Sequence, residues 1–153
     1  MPRRYAKTAF DITLLVLEDD GGVLTGCLAA ASLALADAKV EMKDLIAGAT
    51  VHLSGGRLLL DCERAEELAL QERAAVLHLG LCPTRGMVCL LHSVGPLPAE
   101  PFERMVLLGK QTAEAFGHEM RRCLEEQVRR AERKRGADGM ELDLEVVADD
   151  GYG

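Results

Sequence analysis

The run Val23–Lys39 (VLTGCLAAASLALADAK) carries no proline, and its only charges are Asp37 and Lys39. Ala and Leu are among the best helix formers, so the run reads as a helix. A helix with almost no polar face cannot lie on a surface and must be buried. Its small residues (Gly26, Ala29, Ala30, Ala31, Ser32 and Ala34) allow close approach to a sheet. Such a helix needs a layered domain with strands to pack on. Ahead of it, Ala9–Leu17 (AFDITLLVL) reads as a strand buried on both faces towards its end, followed by a turn at Glu18–Gly22.

After the helix, Met42–Ile46 reads as a short helical turn, and Ala49–Leu53 as a strand. Ser54-Gly55-Gly56 is a hairpin signal, and Arg57–Cys62 returns as the partner strand. Glu63–Arg73 is a charged loop with some helix. Ala75–Leu81 and Met87–Val94 are two further strands joined by Pro83-Thr84-Arg85-Gly86. From about Pro101 to Arg135 the apolar residues Phe102, Met105, Val106, Ala113, Phe116, Met120, Leu124 and Val128 recur at helical spacing. Gly109 and Gly117 predict either a break or close packing in this helix. The basic residues Arg129, Arg130, Arg133, Lys134 and Arg135 complement a helix C-terminus, with Gly136 as the stop. The fold class is α+β: a mixed sheet with helices packed on one face. Residues 1–136 form this domain, and 137–153, with six acids and no basic residue, reads as a disordered acidic tail.

Composition narrows the function. The net charge of −7 opposes indiscriminate nucleic-acid binding by the whole surface, but leaves room for local basic clusters at Met1–Lys7 and Arg121–Arg135. The five cysteines (Cys27, Cys62, Cys82, Cys89 and Cys123) form no metal-ligand spacing and read as buried, reduced thiols. His52, His78, His92 and His118 have no second ligand nearby in sequence and read as structural. No signal peptide is expected, and no apolar run is long enough to span a bilayer.

Leu14–Ile46 (LLVLEDDGGVLTGCLAAASLALADAKVEMKDLI) is similar to the core signature of the RNase PH family. There a strand ends in an acidic Asp-Gly-Gly turn, a helix follows that ends Leu-Ala-Leu-Ala-Asp-Ala, and then a Met-x-Asp-Leu run. The matching pieces are Asp20-Gly21-Gly22, Leu33–Ala38 and Val40–Leu45. Leu58–Asp61 resembles the family's Leu-Leu-Asp strand, and Leu77–Pro83 its apolar strand ending in proline. The likeness covers Pro2 to Arg135 and is strongest to ring subunits of the eukaryotic RNA exosome. It implies an RNase PH-like (ribosomal protein S5 domain 2-like) fold, of which this chain supplies the C-terminal half and lacks the N-terminal half.

The same likeness implies a chemistry and its loss. Phosphorolytic members hold inorganic phosphate at the turn before the buried helix, where free N–H groups and the positive dipole end favour an anion. They place Gly-Thr-Arg there, and Arg grips phosphate as a bidentate charged fork. This chain has Gly22, Val23 and Leu24, followed by Thr25. Val and Leu neither hydrogen-bond nor carry charge, and one hydroxyl does not replace a guanidinium. Active members also carry two Asp residues, six apart, that serve a metal ion or proton transfer. The corresponding positions here are Glu67 and Arg73, and Arg73 inverts the charge. No metal ligand set and no cofactor are expected. Asp19-Asp20 reads as a solvated helix cap rather than a metal pair.

The resemblance therefore implies a non-catalytic ring subunit of the RNA exosome. Its partners would be the other RNase PH-like ring subunits, the cap subunits and RNA, with no membrane. It would reside in the nucleus and nucleolus and also in the cytoplasm. Arg3, Arg4, Arg121, Arg122, Arg129 and Arg130 are the candidates for RNA contact, against the plainer reading of a solvated basic helix end. The alternative function is an active phosphorolytic 3′-to-5′ exoribonuclease with a degenerate phosphate motif.

Overall fold

The structure, a computed structural model, describes residues 7–70 and 74–147, with side chains to residue 135. Its elements in chain order are α1 (Val23–Asp37), β1 (Ala47–Ser54), β2 (Arg57–Leu60), α2 (Arg64–Leu70), β3 (Ala75–Cys82), β4 (Met87–Val94) and α3 (Ala99–Val147). The strands form one sheet in the order β2-β1-β3-β4. Every pairing is antiparallel, so the expected mixed sheet is an antiparallel one. Two of the three pairings are tight hairpins, turning at Gly55-Gly56 and at Pro83–Gly86, and such short turns join only antiparallel strands.

β1 is buried along Ala47–His52 on both of its faces. Residues two apart in a strand share a face. Ala47, Ala49 and Val51 meet α3, where Gly117 lies over Ala47 and Gly109 over Val51 and Leu79. Gly48 and Thr50 point the other way, towards Thr25 of α1. The helices therefore cover both faces of the sheet, not one. A strand with apolar or small residues on both sides needs a cover on both sides, and α1 and α3 supply it.

The core follows from this sandwich. Val51, Leu77, Leu79, Leu81, Met105 and Ala113 are all fully buried. On α3 the buried stripe is Met105, Gly109, Ala113, Gly117 and Met120, at steps of four, four, four and three. Gly109 and Gly117 are therefore sites of close packing, not breaks. Phe116 and Val128, expected on the same face, are exposed at 43% and 57%. On α1 only Thr25, Ala29 and Ser32 are fully buried, while Gly26, Ala30 and Ala34 face outward.

Three further expectations change. Ala9–Leu17 takes no place in the sheet: Phe10, Ile12 and Leu14–Leu17 are exposed, Leu15 at 81% and Leu17 at 90%. A strand persists only where a neighbour takes up its backbone groups, and the four-strand order closes without this segment. Met42–Ile46 is not helical, because the Asp44 carboxylate accepts the backbone N–H groups of Leu45 (2.9 Å) and Arg85 (3.1 Å) and holds the loop open. Finally, α3 does not stop at Gly136 but runs to Val147, so 137–147 is helix rather than disordered tail, and residues 148–153 lie outside the described residues. One glycine costs a formed helix only about 1 kcal/mol, and Met, Glu and Leu beyond it propagate the turn. The basic segment Arg129–Arg135 consequently sits inside the helix and not at its end.

Two glycine substitutions test the α1–β1 contact by opposite signs. A Cβ on Gly48 would stand 2.7 Å from the Thr25 Cβ, whereas one on Gly26 meets nothing within 4 Å. Gly48→Ala should lower stability by roughly 1–3 kcal/mol through overpacking. Gly26→Ala should raise it by about 1 kcal/mol through helix propensity. Urea unfolding midpoints of the two variants measure both.

Candidate functional site at the start of α1

α1 opens at Gly22, which has φ of +61° and no side chain to cap the helix. The turn is pressed against the segment leaving β2. A Cβ on Gly21 would lie 2.2 Å from the Cys62 carbonyl oxygen, so no other residue fits there. The missing cap comes from α2. The Gly22 N–H donates to Glu67 Oε1 at 3.2 Å, and Arg64 holds the other carboxylate oxygen at 3.5 Å. Arg64 also reaches Asp19 at 3.7 Å, while Asp19 accepts the Gly21 N–H at 3.3 Å. Asp19 thus closes the turn ahead of the helix, and Glu67 stands where an anion would meet the helix dipole.

Behind the turn lies a chain of hydrogen bonds. The Thr25 hydroxyl donates to the Gly22 carbonyl at 2.9 Å, so its single proton is spent. Thr50 must therefore donate to Thr25 at 3.2 Å, and His78 Nδ1–H must donate to Thr50 at 3.1 Å. This assigns neutral His78 its proton on Nδ1. Thr25 is buried, and its hydroxyl is engaged at both ends by this chain.

His52 closes the network on the other side. It is 2% exposed, with Nε2 3.7 Å from Glu67 Oε1, and its buried Nδ1 has no hydrogen-bond partner among the described residues. Burial holds its pKa below the ordinary value, against the opposing pull of Glu67 and Glu66. His78 is lowered as well, first by burial and then by His92, whose ring stacks on it with centroids 6.0 Å apart. Three histidines scattered in sequence thus meet on one sheet face. The signal for this was the register alone, since His78 pairs with both Thr50 and His92.

Beside the turn is a cleft of about 340 Å³ lined by Gly22, Thr25, Gly48, Asp61, Thr112 and Phe116 among others. Among the described residues Asp61 is the only charged one in its wall, and it adopts a positive φ of 52°. No described lysine or arginine lines the cleft. Val23 is partly exposed and Leu24 41% exposed at the first turn, and neither offers a charge. Of the two acidic positions, Glu67 is engaged by Gly22, Arg64 and His52, and Arg73 lies outside the described residues. Among the described residues no group of three or more His, Cys, Asp or Glu side chains is placed to hold a metal ion.

The basic candidates divide. Arg3 and Arg4 lie outside the described residues. Arg121 is part of a latch: it donates to the Thr84 hydroxyl at 2.5 Å and lies 3.9 Å from Asp44, whose side chain is 3% exposed and also takes the Thr84 O–H at 2.8 Å. This ties α3 to the β3–β4 turn and makes Arg121 structural. Arg122 pairs with Glu119 (2.7 Å) and Glu126 (3.9 Å), and Arg130 with Glu126 (3.9 Å), all exposed pairs that hold weakly. Arg129 is exposed. The cysteines are free but not uniformly buried: Cys62 is buried, Cys27 and Cys82 half-buried, Cys89 and Cys123 exposed. No described helix is long and apolar enough to cross a membrane.

The model of the RNase PH 3′ exoribonuclease family, domain 1, matches residues 1–41, which include the Gly21-Gly22 turn and α1. The exosome complex component RRP41 homolog of Arabidopsis thaliana is 35% identical over 127 residues, which cover 83% of this chain and 52% of that protein. The chain belongs to the RNase PH family. The exosome complex component MTR3 of Mus musculus is 38% identical over 138 residues, covering 88% of this chain and 48% of that protein. The crystal structure of rice (Oryza sativa) Rrp46 matches with a TM-score of 0.58 and 23% identity over 71% of this chain and 51% of that one, a likeness of fold. The chain spans about half the length of the curated RNase PH relatives it matches.

The buried histidines make a pH dependence. His52 and His78 bind protons less well folded than unfolded, so the unfolded chain takes up protons first as pH falls. Their contribution is present above the unfolded value of 6.5 and is lost as pH drops through it. Unfolding free energy from urea titrations should therefore decline on acidification through that range, and His52→Gln should flatten the slope. An unchanged slope would show that His52 does not carry it.

Proposed function

We propose that this chain is a non-catalytic RNase PH-like ring subunit of the RNA exosome, scaffolding a 3′-to-5′ RNA processing and decay complex and contributing to its RNA channel. The observation that carries the reading is the Glu67 carboxylate on the Gly22 N–H at 3.2 Å. An inorganic phosphate at that turn would have to displace a carboxylate already paired with the helix terminus and with Arg64. It would find Val23 and Leu24 where active members place a hydroxyl and a guanidinium, and Asp61 in the wall. Like charges at close range raise the cost further.

The exposed apolar run Ala9–Leu17 supports an assembled setting. Side chains as open as Leu15 and Leu17 are costly in water and are stabilised when a neighbouring chain covers them. The partners are other RNase PH-like ring subunits and cap subunits, in the nucleus and nucleolus and also the cytoplasm. RNA contacts come from Arg122, Arg129 and Arg130 on the exposed side of α3, and from Arg3 and Arg4. They are phosphate contacts, hence salt-dependent and indifferent to sequence.

Two measurements test this. Affinity purification of the tagged chain from its own cells should recover the other ring subunits in near-equal amounts by mass spectrometry. The purified chain, given RNA and inorganic phosphate, should release no nucleoside diphosphates, and Glu67→Gln should not change that. Phosphate-dependent release that is lost on altering Thr25 would overturn the non-catalytic reading, and recovery of no ring subunit would overturn the scaffold.

A further inference from the structure

The β3–β4 hairpin contains an irregularity with a chemical result. Cys82 pairs with Met87 and Leu81 with Val88, then the register slips at Gly80/Leu81 and Gly80 pairs with Leu90. Cys89 is the extra residue of this bulge. Its Sγ and the Leu90 Cβ lie 3.3 and 3.0 Å from the position a Cβ on Gly80 would take. The slip has therefore turned Cys89 onto the face of Gly80. Cys82, two residues on from Gly80 in the same strand, shares that face. Because Gly80 has no side chain, nothing fills the space the Cys89 sulfur occupies. The register thus sets the two thiols on one face of the hairpin, on neighbouring strands on either side of the bulge. Cys89 is exposed and Cys82 half-buried, so one is open to solvent and the other sits behind it.

We propose that Cys82 and Cys89 form a reversible disulfide, a thiol-oxidation site at the open edge of the sheet. The oxidant is a low-molecular-weight disulfide such as glutathione disulfide. The Cys89 thiolate attacks one of its sulfurs, the S–S bond breaks, and one glutathione leaves as thiolate. The Cys82 sulfur, losing its proton, then attacks Cys89 Sγ and expels the second glutathione. Two protein thiols lose two electrons and two protons, and glutathione disulfide is reduced to two glutathione thiols. The order follows from access, since Cys89 meets the reagent first. Burial, and then Cys89 itself, push the Cys82 thiol up, which suits the second, resolving step. The bond would pin the bulge and hold β4 rigidly on β3 at the edge where another strand could add.

The test uses the full chain treated with glutathione disulfide and then alkylated. Intact mass should fall by two hydrogens before alkylation. After trypsin, which cuts at Arg85 between the two cysteines, the peptides carrying Cys82 and Cys89 should stay joined until reduced by dithiothreitol. Cys82→Ser should instead accumulate a glutathione adduct on Cys89, and Cys89→Ser should form no bond at Cys82. A stable glutathione adduct on Cys89 of the unaltered chain would overturn the proposal, as would linkage of either residue to Cys27, Cys62 or Cys123.

Discussion

The central strand β1 is covered on both sides, and the positions of the other elements depend on how close each cover can come. On one side the α3 stripe of Met105, Gly109, Ala113, Gly117 and Met120 lets the helix axis settle on Ala47, Val51 and Leu79. On the other, Gly48 lets the first turn of α1 approach until Thr25 can hydrogen-bond Thr50. A methyl group at Gly48 would push α1 away, and the hydrogen bonds between Gly22, Thr25, Thr50 and His78 would part. Apolar burial supplies the attraction, and the absence of side chains sets the distance.

The position of α1 sets the chemistry of its N-terminus. That terminus is a place for an anion by backbone electrostatics alone. In this chain the anion is a side chain from α2, held by Arg64 and backed by His52. Glu67 therefore closes the helix terminus with a carboxylate of the chain's own. The arrangement also explains why two histidines are kept neutral. A charged His52 would be almost fully buried, with one nitrogen lacking a partner among the described residues, which desolvation opposes more strongly than Glu67 rewards.

Much of the fold was legible because local pattern and tertiary need agree there. The Ala-Leu helix, the Ser54-Gly55-Gly56 hairpin and the Met87–Val94 strand all occupy the places their sequences indicate. The misreadings share one cause. Ala9–Leu17 has strand composition, but a strand is defined by its pairing in a sheet, and the sheet is built from β1 to β4. Met42–Ile46 has helical composition, but the Asp44 side chain is recruited by a turn forty residues away. Gly136 is a stop in isolation, yet a helix already formed passes it. The number of covered faces was missed because β1 alternates Ala and Val with Gly and Thr, and small residues on the second face do not announce a helix packed there.

The sequence by itself determined the family and the residues that open the buried helix. Both are written in contiguous residues: the Asp20-Gly21-Gly22 turn, the Leu33–Ala38 helix end, and the uncharged pair Val23-Leu24. Only the tertiary structure decided that Glu67 fills the anion position. The same holds for the meeting of His52, His78 and His92, the withdrawal of Arg121 into the Asp44 latch, and the pairing of Cys82 with Cys89 across a bulge. Each of these joins residues on different elements, and their spacing in sequence carries no information about a distance set by register, by a bulge or by the depth to which a helix can sink.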